Sequence, residues 1–134
     1  MKTASRVIIL NQGKILLIHR LKEGKEYYVL PGGSIEKGEN HQQAAIREIK
    51  EETNLDIYLE RLVWKIKEKV SAEVRLGYYF LAKSFTGNLR LGGPELQKQS
   101  KSNQYLLEWI PVKNLHKYLI YPEGLKEKIR TEFS

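Results

Sequence analysis

The sequence contains no cysteine, and none of its apolar runs is long. Without cysteine the chain has no disulfide bond, no zinc–thiolate site and no thiol nucleophile. The apolar run nearest the N-terminus covers only residues 7–10, which is too short for the core of a signal peptide. No stretch reaches the length of a membrane span. We therefore expect a cytoplasmic protein that does not enter a membrane.

The charge is unbalanced towards the positive. Lys and Arg number 23 against 16 Asp and Glu, which gives a formal net charge of +7 over 134 residues. A basic surface attracts polyanions such as nucleotides, nucleic acids and acidic membranes, although a merely solvated basic surface fits the composition equally well. The length and the 41% hydrophobic content predict a single domain over residues 1–134, with a core of its own.

Strand patterns alternate with helix patterns along the chain. Apolar and β-branched runs predict strands at residues 7–10, 14–18, 27–30, 57–70, 73–82 and 105–110. The first two are predicted to form a hairpin, and polar composition predicts loops at 20–26 and 87–103. Helices are predicted after Asn40 and at 122–133. This order favours an α+β fold in which helices pack on a mixed sheet.

The helix after Asn40 has a signal at each end. Asn40 is a favourable N-cap, and Gln43 follows three residues later, as in a capping box. Asn54 is a favourable left-handed residue for the C-terminal end. The sequence therefore predicts a helix that begins after Asn40 and ends at Asn54.

One arc of this helix is acidic. At roughly 100° per residue, Glu48, Glu51 and Glu52 fall on one arc beside Arg47. The next arc is apolar and is predicted to anchor the helix in the core; it consists of Ala45, Ile46 and Ile49. Carboxylates at this spacing repel one another, and a hard cation such as Mg²⁺ or Mn²⁺ would remove the repulsion. A solvated acidic face, with Arg47 paired only to Glu51, fits the helix alone equally well.

The segment that precedes the helix contains Pro31, Gly32 and Gly33. These residues permit a tight backbone passage that brings a carbonyl oxygen towards a metal. On its own, an ordinary turn between a strand and a loop explains the same three residues better.

Residues 33–55 resemble the signature of the Nudix family. Gly33 and Glu39 stand at the two leading positions, and the run Arg47-Glu48-Ile49-Lys50-Glu51-Glu52-Thr53-Asn54-Leu55 follows at the expected spacing. The sole departure is Asn54, where the family has Gly, and Asn also tolerates the left-handed conformation. Residues 30–33 and 108–111 are similar to the flanking segments of many members.

The resemblance implies a mixed β-sheet between helices and a Mg²⁺-dependent hydrolase, with Mn²⁺ as a second candidate metal. Such an enzyme cleaves the diphosphate linkage of a nucleotide or nucleoside diphosphate derivative by attack of water on phosphorus. By this carry-over, Glu48, Glu51, Glu52 and the carbonyl of Gly32 hold the metal, and Arg47 orients the carboxylates. Glu39 and Gly33 support the site.

Two roles stay open in the sequence. The group that takes the proton from water is Glu48, Glu52 or a glutamate outside the signature, Glu95, for which a solvated loop position is the alternative. Arg20 is a candidate phosphate ligand, and its alternative is likewise a solvated loop.

The substrate is a small nucleotide by this reasoning, and no subfamily cue narrows it further. We expect no membrane partner and no nucleic-acid partner, and nothing in the sequence either specifies or excludes a homodimer. The principal alternative is a catalytically inactive Nudix-fold module that binds a nucleotide or RNA. A second is a Mg²⁺-dependent enzyme that acts on RNA ends. The intact glutamates oppose the inactive module, because a module without turnover has no use for a repulsive cluster.

Overall fold

The computed structural model describes residues 2–70, 72–93, 96 and 98–134, with the side chain of Val70 left aside. The strands are β1 (Lys2–Ile8), β2 (Leu10–Asn11), β3 (Lys14–Lys22), β4 (Lys25–Val29), β5 (Gly32–Ser34), β6 (Asp56–Val70), β7 (Glu73–Thr86) and β8 (Asn103–Pro111). The helices are α1 (His41–Thr53), a 3₁₀ helix (Val112–Lys117) and α2 (Leu125–Phe133). No helix within the described ranges is both long and apolar enough to cross a membrane.

The strands form two sheets. The first has the order β5-β1-β7-β6, in which β1 runs parallel to β7 and the other pairs are antiparallel. The second is built around β3, which pairs with β2, β4 and β8. A mixed sheet combined with packed helices confirms the predicted α+β class.

Helix α1 forms as its end signals predict. The Asn40 side chain accepts a hydrogen bond from the Gln43 amide, and the Gln43 side chain accepts one from the Asn40 amide, which completes a capping box. Asn54 ends the helix with φ 67°, in the left-handed region. Ala45 and Ile49 are fully buried, as expected of the apolar arc. Ile46 is not part of the anchor, because it lies at the edge of that arc and stays 42% exposed.

The predicted hairpin of residues 7–10 with 14–18 is half right. Leu10 pairs with Ile15 in the β2–β3 hairpin, but Val7 and Ile8 belong to β1, which pairs with β5 and β7 instead. Val7, Ile8 and the intervening Ile9 are all fully buried, so both faces of this segment are covered. Burial on both faces is typical of a strand with a parallel neighbour, and it explains an apolar run without alternation.

Residues 20–26 are not a loop. Strand β3 continues to Lys22, β4 begins at Lys25, and only Glu23 and Gly24 connect them. Both connecting residues have positive φ, 50° and 80°, as a two-residue hairpin turn requires. The segment is polar because the end of this hairpin faces solvent.

Two apolar clusters form the core. In one, α1 packs against the first sheet through Ala45, Ile49, Val7 and Phe80. The other joins residues of both sheets to the 3₁₀ helix and α2, whose Ile129 is fully buried. Full burial of a side chain of this size contributes roughly 1.5–3 kcal/mol. The first cluster fixes α1 against β1 and β5, which places its acidic arc beside β5.

Candidate active site on helix α1

Arg47 lies at the centre of the acidic arc. Its Nε donates to Glu39 at 2.7 Å, and its Nη1 donates to Glu48 and to Glu51, each at 3.1 Å. Its Nη2 donates to the Ser34 carbonyl at 3.1 Å, which ties α1 to the end of β5. Hydrogen bonding with Glu39 raises the pKa of Arg47 above its ordinary value and lowers the pKa of Glu39 below its own. Because Nη1 also lies 3.5 Å from a carboxylate oxygen of Glu36, one cation contacts four carboxylates.

Glu48 packs directly against the backbone of Gly33. A Cβ atom built on Gly33 would lie 2.7 Å from Cδ of Glu48, closer than van der Waals contact permits. The absence of a side chain at Gly33 is what gives this carboxylate its position between β5 and Arg47.

Glu52 is buried, with only 2% of its surface exposed. Its Oε1 accepts a hydrogen bond from the amide N–H of Gly32 at 2.7 Å. Gly32 has φ 143°, and a Cβ atom there would lie 2.0 Å from the carbonyl oxygen of Ser5, so no other residue fits. The Gly32 amide thus fixes Glu52, while the role of the Gly32 carbonyl as a metal ligand, which the family resemblance implies, stays a prediction.

The donor set of α1 suits a hard divalent cation. Glu48, Glu51 and Glu52 supply carboxylate oxygens only, which Mg²⁺ and Mn²⁺ prefer. Among the described residues, no group of three acidic or histidine side chains already converges as a metal site. Glu48 and Glu51 both contact the same Arg47 nitrogen. The residues present fit such an ion in the chemistry of their donor atoms.

Glu52 also borders an open cleft of about 990 Å³. We use "the cleft" for the space between α1, the β3–β4 hairpin and the β6–β7 hairpin. Its cationic lining residues are Arg6, Arg20, Lys22, Lys25, Lys69 and Arg75, and its acidic ones are Glu23, Glu26, Glu52 and Glu68. Four tyrosines line it, of which Tyr79 is buried and those at positions 27, 105 and 121 offer aromatic rings. The cleft therefore presents cations and rings to a ligand beside the acidic helix.

Arg20, a candidate phosphate ligand by sequence, lies in this cleft. Its guanidinium group sits 3.7 Å from the centre of the Tyr105 ring and 5.8 Å from that of Tyr27. Its Nη2 donates to Asn103 Oδ1 at 2.5 Å, while its Nε is buried and meets no hydrogen-bond partner within the described ranges. The strand position of Arg20 thus directs it towards the space where a ligand fits.

A second charged cluster, which was not predicted from the sequence, lies in the cleft wall. Glu68 of β6 contacts Arg6 of β1 and both Arg75 and Tyr79 of β7. Arg6 and Glu68 are 62 residues apart, and they come close because both β1 and β6 pair with β7. The available signal was weak, because Glu68 and Arg75 are charged residues within the predicted strands 57–70 and 73–82, and Arg6 precedes the predicted strand 7–10.

The long connection after β7 packs against the end of α1. The amide of Arg90 donates to the Thr53 carbonyl at 2.9 Å, and that of Gly92 donates to the Glu52 carbonyl at 3.0 Å. These bonds satisfy carbonyls that a helix end leaves without intrahelical partners. Glu95, the candidate base in this connection, lies outside the described residues.

Comparison with known proteins shows which family this chain resembles. The family model described as "NUDIX domain" matches residues 1–129. The chain is 26% identical over 128 residues to an uncharacterized Nudix hydrolase of Bacillus subtilis, which covers 91% of this chain and 73% of the relative. It is 51% identical over 49 residues to an ADP-ribose pyrophosphatase of Methanocaldococcus jannaschii, which covers 36% of this chain and 29% of the relative.

A solved structure shares the fold over nearly the whole chain. The MutT NUDIX hydrolase of Burkholderia pseudomallei superposes with a TM-score of 0.72 and 24% identity, covering 98% of this chain and 96% of the other. The chain spans 29% of the length of two curated relatives and 73% of a third. Because the family model extends over almost every residue and the signature residues surround Arg47, the chain belongs to the Nudix family.

Proposed function

We propose that this protein is a Mg²⁺-dependent hydrolase that cleaves the diphosphate linkage of a nucleotide or nucleoside diphosphate derivative. The observation that supports this most is the arrangement around α1. Glu48 and Glu51 share Arg47, and Glu52 is fixed to the Gly32 amide at the edge of the cleft. A buried carboxylate beside a cation-lined cleft is the kind of group that is common at functional sites.

Each residue of the α1 site has a proposed role. Glu48, Glu51 and Glu52 would hold the metal ion, with the Gly32 backbone beside them. When bound, the ion neutralises the diphosphate and activates a water molecule. Arg47 keeps the carboxylates oriented, and Glu39 in turn fixes Arg47 from the other side. Either Glu48 or Glu52 accepts the proton of the attacking water, since both are held against β5.

The cleft supports a nucleotide as the substrate. Cations attract the phosphates, and Arg20 on the Tyr105 ring is well placed to bind one of them. Tyrosine rings at the rim offer a surface for a base. One relative is named an ADP-ribose pyrophosphatase, which makes ADP-ribose a suitable first candidate.

A nucleotide panel with metal control tests this proposal. Wild-type protein is incubated with Mg²⁺ or with EDTA, with nucleoside triphosphates and ADP-ribose, and the release of phosphate, pyrophosphate and nucleoside monophosphate is followed. We expect Mg²⁺-dependent turnover of at least one compound. Glu52→Gln should lower kcat by about 100-fold or more, as expected when a positioned acid–base or metal-binding group is lost. Glu60→Gln, on an exposed part of β6, is the matched control and should leave kcat unchanged.

If the protein is instead an inactive binding module, the opposite results are expected. This alternative requires that nucleotides bind without turnover under every metal condition. It also requires that Mg²⁺ affinity, measured by calorimetry, be the same in Glu51→Gln, Glu52→Gln and the wild type. Both results together would contradict the proposed hydrolase.

A further inference from the structure

Glu68 is a buried carboxylate in the cleft wall, away from the α1 site. It is 3% exposed, and its neighbour Gly77 gives it room, since a Cβ atom there would lie 2.3 Å from Oε2. Arg6 donates to both of its oxygens, at 3.4 and 3.2 Å, and Arg75 donates to Oε1 at 3.1 Å. The hydroxyl of Tyr79 donates to Oε2.

These four hydrogen bonds saturate Glu68. A carboxylate offers about four acceptor positions, and each oxygen here already accepts two donors. Burial alone would raise the pKa of Glu68, but Arg6, Tyr79 and Arg75 outweigh it and hold that pKa below its usual value. Glu68 therefore stays charged and has no acceptor left for a substrate. Its effect is to hold two guanidinium groups side by side.

Both guanidinium groups keep donors beyond those that Glu68 uses. Each carries five N–H bonds, of which Glu68 receives two from Arg6 and one from Arg75. Both arginines line the cleft, and the Arg75 side chain is 26% exposed to it. Two cations and one carboxylate leave a net positive charge, and a fixed pair of planar forks suits a phosphate group.

This cluster begins close to the acidic helix, because Arg6 pairs with Gly32 in the sheet, and extends away from it towards β6. Glu52 contacts β5, whereas Glu68 stands on β6, three strands away in the order β5-β1-β7-β6. At about 4.8 Å per strand, the separation across the sheet is roughly 14 Å. Arg75 lies on β7, where it pairs with Lys2, four residues along β1 from Arg6. At about 3.3 Å per residue, Arg75 is therefore roughly 13 Å along the strands from the pair of Arg6 with Gly32. A group bound by Arg75 is therefore not the phosphorus that water attacks beside α1.

We propose that Arg6 and Arg75, positioned by Glu68, form a second phosphate-binding subsite, and that the substrate carries a phosphomonoester in addition to the diphosphate that is cleaved. The claim that a substrate carries this phosphate rests on the proposed hydrolase function. Phosphate binding at the subsite itself is testable without turnover. Arg6 and Arg75 contact the extra phosphate, and Glu68 acts only by orienting them.

Binding of inorganic phosphate tests the subsite directly. The folded, full chain is titrated with phosphate in EDTA, and the Nε–H signals of Arg6 and Arg75 are followed by NMR. We expect saturable shifts of both signals. Arg75→Gln should weaken phosphate binding by about tenfold, the loss expected from one charge-assisted hydrogen bond. Lys67→Gln removes the same charge from the same hairpin outside the cleft lining and should change the affinity less than about twofold.

Glu68→Gln separates orientation from net charge. The variant makes the cluster more positive, so charge alone predicts tighter phosphate binding. If Glu68 positions the arginines, binding becomes several-fold weaker instead. The proposal is overturned by tighter binding in Glu68→Gln, by the absence of saturable shifts in the wild type, or by equal affinities in Arg75→Gln and Lys67→Gln.

A matched substrate pair tests the phosphomonoester. The kcat/KM values of ADP-ribose and ADP-ribose 2′-phosphate, and of dephospho-coenzyme A and coenzyme A, are compared in Mg²⁺. We expect the phosphorylated member of at least one pair to be preferred, and Arg75→Gln to lower kcat/KM for that member only. An equal fall for both members would place Arg75 on the cleaved diphosphate and overturn the extra phosphate. If no compound is hydrolysed, the proposed function fails, and the phosphate titration still decides the subsite.

Discussion

Replacing Arg47 by Gln should destabilise the metal-free protein by an amount that the contacts of Arg47 allow us to work out. The Glu48 side chain is 16% exposed, and the loss of its charged hydrogen bond costs about 1.5–3 kcal/mol. The Glu51 side chain is 43% exposed, so its i,i+4 pair contributes only about 0.3–0.5 kcal/mol. These two contacts together contribute about 2–3.5 kcal/mol. At about 4 °C per kcal/mol for a chain of this size, Tm should fall by roughly 8–14 °C.

Adding Mg²⁺ should change the Tm of the same variant in the opposite direction. Without Arg47 the carboxylates of α1 repel one another, and a bound cation relieves that repulsion. The rise in Tm on adding Mg²⁺ should therefore be larger in Arg47→Gln than in the wild type, because a ligand stabilises the folded state in proportion to its binding free energy.

Thermal unfolding followed by circular dichroism, in EDTA and in Mg²⁺, measures both effects. Arg61→Gln is the control, since Arg61 pairs with Glu60 and Glu132 on the exposed surface, and its effect should stay within about 0.5 kcal/mol. The reasoning is refuted if Arg47→Gln loses no more stability than Arg61→Gln. It is also refuted if Mg²⁺ raises the Tm of Arg47→Gln no more than that of the wild type.

Two further substitutions have distinct expected outcomes. Gly33→Ala should lower kcat by about 100-fold with little change in Tm. The new methyl group displaces the flexible Glu48 carboxylate, and small displacements of catalytic groups are costly for kcat. Equal losses of activity in Gly33→Ala and in an exposed-loop variant, Gly38→Ala, would contradict this. Glu68→Gln should cost about 3 kcal/mol of unfolding free energy at pH 7, since it breaks a buried ion pair. The folded-state pKa of Glu68 lies below its usual 4.5, so the wild-type advantage is complete above about pH 5 and shrinks as the pH falls through the folded pKa. Urea unfolding of the wild type and Glu68→Gln at pH 7 and pH 4 measures this difference in unfolding free energy. A difference that grows towards pH 4 would be inconsistent with the ion pair.

Local signals in the sequence predicted both ends of α1 accurately. The capping box of Asn40 and the left-handed Asn54 depend on neighbours within a few residues, so the chain itself specifies them. The contact of Arg47 with Glu51 follows from helical spacing, and the contact of Arg47 with Glu39 places the signature residues together. The glycines before the helix were identified, although their contacts were not.

Contacts between strands that are distant in the chain could not be predicted from the sequence. The parallel pairing of β1 with β7 joins segments separated by about half of the chain, and no local pattern specifies it. For this reason the cluster of Arg6, Glu68 and Arg75 was missed. The polar composition of residues 20–26 predicted a loop for Arg20. In the structure, this polar segment is instead the end of a hairpin whose Arg20 lines the cleft.

Oxygen transfer from water tests the central claim most directly. Wild-type protein, Glu52→Gln and Glu60→Gln are incubated with Mg²⁺ and the best compound of the nucleotide panel in ¹⁸O-labelled water, and the products are analysed by mass spectrometry. The proposed mechanism predicts that one ¹⁸O atom enters a phosphate product with the wild type and Glu60→Gln, and that Glu52→Gln forms labelled product about 100-fold more slowly or not at all. Unlabelled phosphate products, or equal rates in all three proteins, would contradict water attack at the α1 site.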